Sequence, residues 1–124
     1  MDSGDVRVIS FNTILNNLVD KMMSRFPRCH HISFFNDQVK FATKYTPLQP
    51  VVSFIQASLP FSEEIKKRNS NFFLQLATAD EGFADLRLYE KWSELTDQER
   101  ETIWRYVDQL FNLGRNIILH SPDN

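Results

Sequence analysis

The sequence contains one cysteine, three glycines and five prolines among 124 residues. A single cysteine, Cys29, excludes an internal disulfide and suits a reducing compartment, the cytosol or nucleus. So few glycines and prolines leave little material for the tight turns of a β-sandwich or barrel, which points to helices. The glycines are scattered, so no glycine-rich phosphate loop forms, and the pattern G-x-x-x-x-G-K-[ST] is absent. No apolar run approaches the roughly 20 residues of a membrane helix, and no membrane partner is expected. The opening MDSGDVRVIS is acidic and poor in apolar residues, unlike a signal peptide, and no Asn-x-Ser/Thr sequon occurs. The net charge of -2 supplies no global basic field to draw the chain onto nucleic acid.

Phenylalanine is abundant. Eleven of them predict a core rich in aromatic contacts. A hydrophobic fraction of 42% and a charged fraction of 24% suit a soluble globular chain, and the length suits one domain. Charge is uneven along the chain. Lys21 to Lys44 holds five Lys/Arg and only Asp37 on the acidic side, whereas Asp80 to Asp108 holds nine acidic residues and four Arg/Lys. Two solvated faces of opposite sign are the plain reading of this split.

Hydrophobic periodicity predicts an all-α fold, a compact bundle of five or six helices spanning residues 10–118. Residues 1–9 read as a tail or short extension and 119–124 as a second tail. The first helix lies within Ser10 to Phe26, where Phe11, Leu15, Leu18, Val19, Met22 and Phe26 share a stripe and Asn12, Asn16 and Asp20 lie opposite. Pro27 stops it, because the residue before proline avoids the α region. Val6, Val8 and Ile9 fit either a short strand or an extra turn. Residues 27–33 read as a connector, followed by a short helix from Asp37 to Tyr45 and another from Pro50 to Ser58, with proline in its first turn. Ser62 is the expected N-cap of a helix that carries Ile65, Phe72, Leu76 and Ala79 and is interrupted by Asn69, Ser70 and Asn71. Gly82 punctuates the chain, and Asp85 to Leu95 reads as a brief helix presenting Leu86, Tyr89 and Trp92. Thr96 and Glu99 form a capping box that opens the terminal helix, and Glu101 and Arg105 are placed for an i,i+4 pair.

Candidate chemistry is sparse. Cys29, His30 and His31 are zinc-ligand types, but a zinc site takes four ligands and the remaining histidine, His120, is remote in sequence. No metal and no cofactor is expected. A Cys-His nucleophile pair would also need an orienting group and an oxyanion donor. The paired carboxylates Glu63-Glu64, Asp80-Glu81 and Asp97/Glu99/Glu101 sit at helix starts or on wet faces, where they favour the macrodipole rather than proton transfer. No catalytic residue is assigned, and the chain reads as a non-enzyme. Lys66-Lys67-Arg68 reads as a solvated helix surface. A nucleic-acid-associated factor is the alternative function, resting on Lys21, Arg25, Arg28, Lys40 and Lys44 as a basic patch.

The terminal helix carries the strongest signal. Ile103, Val107, Leu110, Gly114 and Ile117 form the centre of its apolar face, with Trp104 and Phe111 on one flank and Tyr106 and Leu113 on the other. Together they cover about half the circumference, against the roughly 100° stripe of an ordinary surface helix. The leading expectation is a homodimer interface built from Trp104, Val107, Phe111 and Ile118, with Trp92 and Tyr106 as packing anchors. A central core helix covered by its own chain on both sides is the competing explanation. Gly114 either permits close helix–helix approach or ends the helix at its C′ position, with Leu113 the natural last residue.

Trp92-Ser93-Glu94-Leu95-Thr96, followed by Ile103-Trp104-Arg105-Tyr106 and Leu110, resembles the C-terminal segment of small helical proteins of nucleocytoplasmic large DNA viruses, in the style of the marseilleviruses. The resemblance covers about residues 86–114 and rests on W-x-x-L, a capped helix start and I-W-x-Y. It implies a viral protein in host cytoplasm, with packaging in virions and contacts with other viral or host proteins as corollaries. It implies no activity. The function expected from all of this is a non-enzymatic interaction or structural protein that self-associates through a helix face.

Overall fold

A computed structural model describes residues 5–79 and 88–120. Asp5 opens the first helix, its carboxylate accepting a hydrogen bond from the Arg7 backbone N–H at 2.9 Å. Helix α1 (Val6–Arg25) therefore begins before Ser10, and Val6, Val8 and Ile9 form its first turns, not a strand. It ends where Pro27 requires. The turn to α2 (His30–Tyr45) is far shorter than the seven-residue connector expected, because Cys29 already occupies the N-cap position. Helix α3 (Gln49–Ser58) has proline in its first turn, as its sequence predicts, and passes through a 3-10 turn (Leu59–Phe61) into the short α4 (Ser62–Lys66). Ser62 is thus the first helical residue of α4 and makes no capping bond, since the incoming 3-10 turn precedes it. The polar run Asn69–Asn71 does break the path. Arg68 adopts a left-handed φ of 57°, and the Asn69 side chain accepts from the Asn71 N–H at 3.0 Å, before α5 (Asn71–Ala79) starts.

Helix α6 (Leu88–Lys91) and a 3-10 turn (Trp92–Glu94) lead to the longest helix, α7 (Asp97–Leu119). The remainder of the expected Asp85–Leu95 helix, with Leu86, Gly82 and the Asp80-Glu81 pair, lies outside the described residues. The capping box at the start of α7 is formed on both sides: Glu99 N–H donates to Thr96 Oγ1 at 3.1 Å and Thr96 N–H to Glu99 Oε1 at 2.8 Å. Among the described residues there is no strand, and five helices of nine or more residues carry the fold, which is the all-α bundle expected.

Helix α7 occupies the middle. It packs on α1, α3 and α4, while α2 lies outside on α1 and α3, and α5 joins α3, α4 and α6. The helices approach closely at Gly114. A Cβ there would lie 2.7 Å from Ile55 Cδ1 and 3.2 Å from Phe11 Cε2. Gly114 therefore admits close packing of α1, α3 and α7 and does not end the helix, which continues to Leu119. Phe11 meets Phe54 edge-on at 6.0 Å beside this crossing. The side of α1 opposite its apolar stripe is in part an inner face: Asn12 is buried and donates to the Pro47 carbonyl at 2.8 Å.

Candidate interaction surface

Trp104, Val107 and Phe111 are buried within the chain itself, at 3%, 3% and 6% exposure. That corrects the expected interface. Trp104 packs on Phe73 at 4.9 Å, Phe72 at 6.2 Å and Trp92 at 5.8 Å, and the Arg68 guanidinium lies 5.7 Å from its ring centroid. A residue enclosed in this way meets a partner only if the fold opens. Of the four residues expected at an interface, only Ile118 is exposed, at 39%. Tyr106 and Leu113 are partly buried against the same core, so the broad face of α7 is explained by cover from its own chain on both flanks.

A row of exposed aromatic residues lies on α2. Its start at His30 creates two stripes on one helix. Ile32, Phe35 and Val39 point inward and are buried. Phe34, Phe41 and Tyr45 are spaced seven and four apart, within about 40° of one another on the helix wheel, and face outward at 53%, 64% and 61% exposure. The Phe41 and Tyr45 rings touch at 4.8 Å, and the Lys44 ammonium lies 5.3 Å from the Tyr45 ring centroid. Alongside runs a groove of about 450 Å³ between α2 and α3, with Leu15, Val39 and Pro50 in its lining and Gln38, Gln49 and Ser53 beside them. A helix that starts at Asp37, as the sequence predicts, leaves Phe34 outside it and hides this surface. With the helix begun at His30, the two periodic stripes in HHISFFNDQVKFATKY identify it.

Among the described residues Leu59, Leu74 and Tyr89 are also exposed, and a second group is aliphatic. Val6 and Ile9 on α1 and Ile118 and Leu119 on α7 are aliphatic and belong to two helix ends. Those ends are tied by Arg7, which donates to the Asn116 side chain at 2.8 Å and to the His120 carbonyl at 2.8 Å.

The five basic residues of the alternative function do not form one free patch. Arg25 donates to Glu99 at 2.7 Å and to the Glu94 carbonyl at 2.8 Å, which turns it toward the start of α7. Lys40 donates to Asp20 at 2.8 Å and Asn16 at 3.0 Å, between α1 and α2. Lys21 lines an open groove of about 640 Å³ between α1 and α7, whereas Lys44 lies beside Thr43 and Pro47 on the other side of α1. Arg28 is exposed in the α1–α2 turn. Arg68, read in sequence as part of a solvated run, instead bridges Asp108 at 2.7 Å and Glu101 at 3.5 Å. The expected Glu101–Arg105 pair is present at 3.7 Å.

Cys29 caps α2 without a side-chain bond, and His30 and His31 follow in its first turn. Among the described residues no group of three or more His, Cys, Asp or Glu is placed to hold a metal ion. The Thr96 backbone N–H, with Arg25 assisting, holds the Glu99 carboxyl below the usual carboxylate range. Arg7 does the same for Asp5. Both groups are poised as fixed anions and not as proton donors near neutrality. No helix among the described residues is long and apolar enough to cross a membrane.

No family model, no curated protein and no solved structure matches the chain. The residues that carry the resemblance to the viral helical proteins are themselves core and capping residues here: Trp104, Leu110 and Leu95 are buried, and Thr96 caps α7.

Proposed function

We propose that this chain is a non-enzymatic interaction protein that self-associates through the outward face of α2. The observation that carries the reading is the stripe of Phe34, Phe41 and Tyr45, each more than half exposed. Aromatic residues are enriched at protein interfaces, and a row of them on one face of a helix marks a contact surface better than scattered aliphatics do. The magnitudes allow a reversible contact. Covering one such ring is worth about 2–3 kcal/mol at roughly 25 cal/mol per Å². Six rings in a pair give a gross gain of about 15 kcal/mol, against an association cost of about 4–15 kcal/mol. The surplus, about 0 to 11 kcal/mol, corresponds to affinities no tighter than roughly 10 nM.

The viral resemblance extends the proposal to a viral protein acting in host cytoplasm, with virion packaging as its corollary. The nucleic-acid alternative gains no support from a basic set in which Arg25 and Lys40 are engaged by Glu99 and Asp20. Two-dimensional amide spectra over a dilution series test the self-association. Concentration-dependent shifts centred on residues 30–45 are expected. Spectra that do not change with concentration, or change only at α7, contradict the assignment.

A further inference from the structure

The following rests on the reading of α2 as the self-association face. We propose that two copies pair α2 against α2 in antiparallel orientation, about a two-fold axis between Lys40 and Phe41, with Asp37 of each copy bonded to Lys44 of the other. The positions on the helix are self-complementary for that arrangement. Asp37 and Lys44 are exposed, stand equally far from the axis on either side, and, seven residues apart, lie within about 20° on the wheel. They therefore share one edge of the aromatic stripe. An antiparallel two-fold pair brings each edge of the helix against the same edge of its copy, so the two residues meet level, twice per dimer.

The rings fit the same register. Phe41 stands one residue step, about 1.5 Å, from its own copy along the helix direction. Tyr45 stands two steps, about 3 Å, from Phe34 of the second copy. The rings thus form a central pair and two outer pairs. The other edge carries Gln38 and Ala42, which bring no charge into the contact. Lys40 is the residue that would approach its own copy near the axis, and it is turned aside onto Asp20 and Asn16. A parallel two-fold pair would instead set this edge of the helix against the opposite edge of its copy, so Asp37 and Lys44 would face Gln38 and Ala42 and the two charges would not meet.

Charge exchange in the full chain tests the register. Sedimentation equilibrium is run at low salt up to about 300 µM, a range suited to an interface below standard size. Four proteins are compared: the native chain, Asp37→Lys, Lys44→Asp and the double exchange, with Phe41→Glu as a control and helicity checked for each by circular dichroism. The native chain should dimerise. Each single exchange should weaken the dimer by about tenfold or more, and the double exchange should restore it to within about threefold. A dimer that Phe41→Glu abolishes but that the double exchange fails to restore overturns the antiparallel register and leaves the α2 face standing. A native chain that stays monomeric, or a dimer indifferent to Phe41→Glu, overturns the α2 reading and this pairing with it.

Discussion

Gly114 illustrates how one residue can be settled only by its neighbours. A helical glycine costs about 1 kcal/mol relative to alanine, so Gly114→Ala gains that propensity in an uncrowded helix. Here the added methyl would lie 2.7 Å from both Cγ1 and Cδ1 of the buried Ile55. Overpacking costs about 1–3 kcal/mol, which outweighs the gain. Gly114→Ala is expected to lower unfolding stability by about 1 kcal/mol and Gly114→Val by about 3 kcal/mol, as read by denaturant titration. A stabilised alanine variant would refute the close-packing role. Glu99 is the second residue with a definite consequence. Its pKa is depressed in the fold, first by the Thr96 N–H. Its stabilising effect is therefore complete above the unfolded value of 4.5 and is lost as pH falls through the lower folded value. The native chain should melt above Glu99→Gln at neutral pH, and the gap should close progressively as pH falls below 4.5. A gap independent of pH would show that the carboxylate charge is not what stabilises the cap.

At the scale of elements, α7 and α2 exchange the roles their sequences suggest. The apolar breadth of α7 is read correctly from Ile103, Val107, Leu110 and Ile117, and its capping box is formed as Thr96 and Glu99 predict. What covers that breadth is not local information. Phe72 and Phe73 reach Trp104 from α5, and Trp92 reaches it from the preceding 3-10 turn. Their approach depends on the turn at Arg68, where a left-handed residue breaks the chain path. Trp104→Ala should consequently cost about 3–5 kcal/mol of stability while leaving any association of the folded protein intact. Loss of association with stability unchanged would return the interface to α7. For α2 the sequence misleads in the opposite sense. A proline, a cysteine and two adjacent histidines read as a connector, yet Cys29 with its extended backbone serves as N-cap and His30 begins the helix. Once that start is known, the inner Ile32–Phe35–Val39 stripe and the outer Phe34–Phe41–Tyr45 stripe both follow from periodicity.

For the whole molecule, the all-α architecture was legible because apolar spacing, Pro27 and the capping box all agree on helices, whereas the choice between core and surface was not. That choice is made by long-range contacts: α1 and α3 close on α7 at Gly114, and α2 is left with one face inward and one outward. The paired charges follow the same logic. Arg25–Glu99 and Lys40–Asp20 join helices that are distant in sequence, and they remove from the candidate basic patch two residues that spacing alone places in it. Copies are proposed to meet on the aromatic stripe that α2 turns outward, Phe34, Phe41 and Tyr45. Light scattering coupled to size exclusion, over a loading series of the native chain and of a Phe34→Ser/Phe41→Ser/Tyr45→Ser variant, tests it most directly. The native mass should rise toward twice the single-chain value, and the variant should stay at the single-chain value with unchanged helicity. A native chain fixed at one chain mass throughout, or a variant that associates as the native chain does, would contradict it.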